Sequence, residues 1–400
     1  MTGEACRGVV PQGGGLAGSD RFSPPDLNLL LVSRSASWDH AVRSATREIG
    51  GGNVATCGAR DALARLARQS PHYSHVLVDG DAADGLLKAL ADLASEIAGP
   101  ETDMLMLGTM MNEQPHVRVI PAAETRAVRE ALMTTPPRIR SDLGLSELRA
   151  ALDGTMIEPR YQPIIRMSDR HPIGLEALVR LSHPVAGVLL PSQFVPQIED
   201  AGLAGQLTEL VSGRVLADLL GPDLAGSGLR ISVNFPLDVL LRPAALDRLE
   251  AQRVAAGIPA SRIIVELTES KPVANVVTLR RSLEHLRGLG YGIAIDDVGP
   301  AVPRLAPLLE LPFTSLKLDK DLVMRAIVSP ETERFVATTI AQAKQHGLTV
   351  VAEGVETEET WARMLALGAD EAQGFLAARP LPLAAVPIWL EAWNAGSRAA

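Results

Sequence analysis

The ends of successive apolar runs in the second half of this chain carry Glu176, Asn234, Glu266, the adjacent pair Asp296 and Asp297, Lys317, Glu353 and Gln373. Carboxylates and an amide are all oxygen donors, the set that suits Mg²⁺ or Mn²⁺. No Cys or His cluster argues for zinc. A carboxylate shared by two hard cations, with a lysine beside it, is equipment for in-line attack of water on a phosphodiester.

Each residue also has a plainer reading. Glu176 could pair with Arg180, Asn234 could cap a turn, and Glu266 could bond a helix N-terminus. Lys317 could simply neutralise acids. The pair in "YGIAIDDVGPAVPRL" (291–305) resists such a reading. Two adjacent carboxylates at the end of an apolar strand repel, and each raises the other's pKa unless a cation offsets them. One ammonium does not balance all these acids, and it is their combination that points to chemistry.

Strands and helices must bring these residues together. "RYQPIIRM", "IGLEALVRL", "LRISVNFP", "RIIVELTES", "YGIAIDD", "TSLKLD", "LTVVAEGV" and "DEAQGF" read as strands. Helical stretches such as "ERFVATTIAQAKQHG" separate most of them. The size and rhythm, over roughly 250 residues, are those of a (β/α)8 barrel of the TIM type, whose function sits at the C-terminal strand ends. A large doubly wound sheet is the alternative, but no Gly-rich phosphate turn follows a strand. Residues two apart share a strand face, so Glu176 points with Leu178 and Arg180, and Glu266 with Ile264 and Thr268.

The preceding hundred residues form a second unit. "LNLLLV" (27–32), "SHVLVDGD" (74–81), "DMLMLGTMM" (103–111) and "HVRVI" (116–120) alternate with helix-like runs. This suggests a small, five-stranded doubly wound (flavodoxin-like) sheet. The expected division is a disordered tail over 1–25, an α/β domain over 26–133, a linker over 134–142 and the barrel over 143–395. The composition, 46% hydrophobic and 3% aromatic, is that of α/β proteins with buried parallel strands. A net charge of −9 without a basic block argues against nucleic acid as a partner. Two cysteines exclude a disulfide framework. No run of about 20 apolar residues is present. The chain is expected to be soluble and cytoplasmic, with no membrane partner.

"YQPI", "EALVR", "SVN", "ELTES", "IDD", "LKLD", "AEGVE" and "QGF" occur in the order and spacing of the EAL-domain cyclic di-GMP phosphodiesterases. The resemblance covers about 143–390. It implies a barrel that cleaves cyclic di-GMP to linear pGpG with two Mg²⁺ or Mn²⁺ ions, and a homodimer. Carried over by position, Glu176, Asn234, Glu266 and Asp296 would hold one metal. Asp296 and Asp297, with Glu353, would serve the second. Lys317 would assist the attacking water. Gln162, Arg180 and Gln373 would contact the dinucleotide or its water network. Glu269 would brace the loop after the fifth strand, and Glu356 would support the site.

The first unit resembles a response-regulator receiver, which implies a sensor kinase or regulatory protein as partner and control of the barrel by this domain. Asp79 stands at the phosphoacceptor position, and Thr109 where a Ser or Thr ends the fourth strand. The first strand, however, ends "VSRS" in place of an acidic pair, and Ile120 replaces a lysine before Pro121. Without acids for Mg²⁺ and a lysine to read the phosphate, the domain reads as a degenerate receiver used for docking or dimerisation. The barrel also departs from its family, which reads "DDFGTGYSSL" where this chain has "DDVGPAVPRL". Pro300 and Pro303 fix φ and remove N–H donors. The alternative to an enzyme is therefore a cyclic di-GMP receptor or protein-interaction module.

Overall fold

The computed structural model describes residues 27–67, 73–83, 85–97, 103–108, 118–133, 143–184, 187–268, 276–299 and 305–397. The tail, the linker, Thr109, Glu269 and the loop 300–304 lie outside the described residues.

The first sheet is five-stranded and parallel, in the order β2-β1-β3-β4-β5. Its strands are β1 (Asn28–Val32), β2 (Asn53–Cys57), β3 (His75–Asp79), β4 (Asp103–Leu107) and β5 (Arg118–Ile120). This is the flavodoxin-like order. Leu29, Leu30, Leu31 and Val32 are all fully buried, as befits a central parallel strand covered by helices on both faces. Strand β2 is the one that no quoted apolar run anticipated. It is an edge strand, and "NVATC" is half-exposed along its length, so it lacks the continuous apolar text of its neighbours.

The second sheet closes. Strands β6 (Ile157–Arg166), β7 (Pro172–His183), β9 (Arg230–Pro236), β10 (Ile263–Thr268), β11 (Gly292–Val298), β12 (Ser315–Leu318), β13 (Thr349–Ala352) and β14 (Glu371–Gln373) form the barrel. The short β8 (Gly187–Leu189) adds an antiparallel hairpin to β7. The expected barrel is present, with one departure from the all-parallel type. Strand β6 runs antiparallel to both β7 and β14. The short link from Arg166 to Pro172 is the reason: an antiparallel pair needs only a tight turn, whereas a parallel pair needs a crossover.

The antiparallel β6 sets Gln162 directly opposite Glu176, and Glu158 opposite Arg180. A continuous apolar cluster joins the two sheets' surroundings, running from Leu63 and Leu90 through Ala378 to Trp389. The helix Leu87–Ile97 and the C-terminal helix Val386–Ser397 flank this seam. Among the described residues, no helix is long and apolar enough to cross a membrane.

Candidate active site

The site is built at the strand ends, where β7, β9, β10, β11, β12, β13 and β14 each deliver one or two of the singled-out side chains. Glu176, Glu266, Asp296, Lys317 and Gln373 are buried. Lys317 is the centre. Its Nζ donates to Glu176 Oε2 at 3.0 Å and to Glu266 Oε2 at 3.1 Å. It also lies 2.7 Å from Glu353 Oε1 and 3.1 Å from Asp296 Oδ1. Glu176 is further gripped by Asn234, whose Nδ2 donates to Oε1 at 2.9 Å, and by Gln373, whose Nε2 donates to Oε2 at 2.6 Å. The same Gln373 amide donates to Gln162 Oε1 at 2.9 Å.

A regular strand would send Asp296 and Asp297 to opposite faces. Here the β11–β12 register shifts between Ile295 and Val298. Asp297 adopts the left-handed region, with φ at 53°, a conformation that Asp tolerates better than most residues. The irregularity turns both carboxylates toward one cleft, and with Glu353 they bring ligand atoms within 4.8 Å of one another. Glu176, Glu266 and Asp296 form a second such group. Asp296 belongs to both.

Two glycines let the loops approach this closely. Gly354 has φ of 64°, and a Cβ there would sit 2.3 Å from Lys320 Cγ. A Cβ on Gly374 would sit 2.2 Å from the Val355 carbonyl oxygen. The glycines of "AEGVE" and "QGF" are thus packing requirements beside Glu353 and Gln373.

The electrostatics are unbalanced. Burial alone would strip the proton from Lys317, but Glu176, Glu266, Glu353 and Asp296 together hold its pKa well above the ordinary lysine value. Burial pushes Glu353 up to about 8 against the pull of Lys317, with repulsion from Asp296 and Glu176. Burial and the Asp296 charge push Asp297 up to about 6. Burial likewise raises Glu266 well above its usual value. Glu176 is the exception, shifted down despite burial. The Lys317 charge and hydrogen bonds from Gln373, Asn234 and Lys317 lower Glu176, whereas Glu266 has Lys317 alone against repulsion from Glu176, Asp296 and Glu353. Asp296 Oδ1 is buried without an aligned hydrogen-bond donor. Excess buried carboxylate and two groups of converging oxygens, with Asp296 common to both, fit divalent cations of the hard, oxygen-seeking class.

Above these residues opens a cavity of about 1290 Å³, lined by Gln162, Arg180, Asp297, Lys320, Phe375 and Arg379 among others. Lys320 Nζ and Arg379 Cζ lie 5.3 and 4.2 Å from the Phe375 ring centroid. Glu356, at the lip, accepts from Lys320 Nζ at 2.7 Å. The structure therefore brings together Gln162, Glu176, Arg180, Asn234, Glu266, Asp296, Asp297, Lys317, Glu353, Glu356 and Gln373. Sequence reasoning had not singled out Lys320, Phe375 and Arg379. Lys320 carried a signal, as one of only five lysines and three residues from Lys317. Arg379 carried none.

Asp79 sits elsewhere, at the end of β3 in the first sheet. Its Oδ2 accepts from Ser33 Oγ at 2.7 Å, and its Oδ1 accepts from the Asp81 N–H at 3.2 Å. Ser33 and Arg34 follow the end of β1, and no acidic group that could hold a metal forms around Asp79 among the described residues.

A closed barrel with acids converging at its strand ends defines the class of α/β barrels whose mouth fits hard divalent cations. Within that class, residues 145–380 match the EAL domain family, and the chain belongs to it. It is 38% identical over 249 residues to the cyclic di-GMP phosphodiesterase NbdA of Pseudomonas aeruginosa, an alignment covering 62% of this chain and 32% of that one. It is 31% identical over 238 residues to the cyclic di-GMP phosphodiesterase RocR of the same species, covering 60% and 61%. The chain thus spans less than two thirds of either relative. Among solved structures, the PaMucR phosphodiesterase in complex with c-di-GMP superposes with a TM-score of 0.56 at 32% identity, covering 60% of this chain and 97% of that one.

Proposed function

We propose that the chain hydrolyses cyclic di-GMP to linear pGpG in a divalent-cation-dependent reaction, within second-messenger signalling. The observation that carries this reading is one fully buried ammonium, Lys317, ringed by four carboxylates beneath a cavity large enough for a dinucleotide. The names of NbdA and RocR and the c-di-GMP complex of PaMucR support the substrate.

Two Mg²⁺ or Mn²⁺ ions would be held by Glu176, Asn234, Glu266 and Asp296, and by Asp296, Asp297 and Glu353. The chemistry such ions supply is charge neutralisation on the phosphate and a lowered pKa for water. The chain's own groups do the rest. Lys317 keeps its proton and offers positive charge toward developing negative charge. Glu353, 2.7 Å from Lys317 Nζ, would be held ionised by that ammonium and the second cation, as a carboxylate beside the attacking water. Asn234 and Gln373 fix the orientation of Glu176 through its two oxygens. Arg180, Lys320 and Arg379 line the cavity as cations for the second phosphate and the bases. Dimer formation, and control by the first domain or by a sensor kinase acting on it, belong to the same reading.

Incubation of the purified protein with cyclic di-GMP and Mg²⁺ or Mn²⁺, followed by chromatography, tests it. Chelator-sensitive pGpG is the expected result; binding without product would make the chain a receptor.

A further inference from the structure

We propose that Arg160 is a positioning residue for this site and that Asp92, in the first domain, anchors it; the proposal deepens the hydrolytic reading and rests on it. Arg160 lies in β6 with its side chain 3% exposed, and its Nη2 stands 2.9 Å from Asp92 Oδ2 on the helix Leu87–Ile97. Its Nη1 lies 3.3 Å from Glu158, which also accepts from Lys88 Nζ on that same helix at 2.6 Å. The antiparallel strand therefore begins with a two-point ionic contact with the other sheet's helix.

Glu158, Arg160 and Gln162 alternate along one face of β6. Gln162 accepts from Gln373, and Gln373 grips Glu176. Gln162 Nε2 donates to the Ala378 carbonyl at 3.2 Å. The next residue, Arg379, donates its backbone N–H to the Ala67 carbonyl at 3.2 Å, just past the helix Ala59–Leu66. Both supports of Gln162, the strand and the 378 carbonyl, are thus tied to the first domain. A buried guanidinium that loses its acid does not stay in place. Arg160 would swing toward Glu158 or water and draw β6 with it, and Gln162 is two residues away. The first domain acts as a fixed brace through this contact, with no phosphoryl group involved.

Steady-state kinetics on the full chain test this. Asp92→Asn is expected to lower the melting temperature and to lower kcat about tenfold with KM little changed, since a displacement of an ångström has consequences of that order or larger. Asp92→Glu is expected to restore most of the rate. Arg60→Ala, which removes the exposed Arg60–Glu391 contact between the same two parts of the chain, is expected to leave kcat alone. Wild-type kcat in Asp92→Asn overturns the proposal. So does equal loss in Asp92→Asn and Asp92→Glu, or an equal loss in Arg60→Ala. If the wild type itself forms no pGpG, the hydrolytic reading fails, and the brace is then read by amide hydrogen exchange. Faster exchange over 157–166 and 371–373 in Asp92→Asn, absent in Asp92→Glu, supports it; unchanged exchange overturns it.

Discussion

Lys317 Nζ donates to Glu176 Oε2 at 3.0 Å while Gln373 Nε2 donates to the same oxygen at 2.6 Å. That shared oxygen joins β7, β12 and β14 across the barrel mouth, and it organises the expectations that follow.

Lys317→Met removes the ammonium among four carboxylates, three of them buried. In chelator, the variant is expected to lose about 3–5 kcal/mol of stability at pH 8, since a buried ion pair broken on one side leaves uncompensated charge. The loss should shrink at pH 5.5, where Glu353 and Asp297, lifted to about 8 and about 6, carry their protons. Denaturant melts at both pH values check this, and turnover should fall by about a hundredfold or more.

Glu176→Ala should abolish cation-dependent turnover. It removes one proposed ligand and leaves the Asn234 amide and one N–H of Gln373, which keeps its bond to Gln162, without the Glu176 acceptor, each at a cost of about 1–3 kcal/mol. A normal rate in this variant would show that Glu176 holds no metal.

Gly354→Ala introduces a Cβ 2.3 Å from Lys320 Cγ at a residue whose φ is 64°. The expected outcome is destabilisation of about 1–3 kcal/mol and weaker substrate binding, because Lys320 must leave its place at the cleft. Melting temperature and KM report the two effects separately.

Asp79→Asn keeps an acceptor for Ser33 Oγ. Turnover should change less than twofold, and a phosphoryl donor such as acetyl phosphate should leave the wild type unmodified by mass spectrometry. A large change would restore phospho-control of the first domain.

His75, mostly buried in the first domain, has its pKa lowered to about 4 from 6.5 by burial and by Arg118. The folded state therefore binds this proton less readily than the unfolded chain. Its contribution is full above about pH 6.5 and is lost as pH falls toward 4, by roughly 1–3 kcal/mol. His75→Gln should flatten that part of the stability profile.

Much of the barrel could be read in the sequence because rhythm and polarity coincide there: each apolar run carries, at or near its end, a polar residue that the structure brings to the cleft. Glu176, Glu266 and Lys317 were legible for that reason. The reversal of β6 was not, since strand direction leaves no mark on apolar periodicity and only the short turn after Arg166 hints at it. Strand β2 was missed because an edge strand need not be apolar. The αL conformation of Asp297 was hidden as well, though two consecutive aspartates facing one cleft require some break in the pleat. The Asp92–Arg160 contact and the bond from the Arg379 N–H to Ala67 join residues far apart in the chain, and no local pattern encodes them.

The most direct test of the account is product analysis of purified wild-type protein with cyclic di-GMP and Mg²⁺ or Mn²⁺, beside an EDTA control and Glu176→Ala. The account predicts linear pGpG in the first sample and intact substrate in the other two. Intact substrate in all three, or product that persists in EDTA, would contradict it.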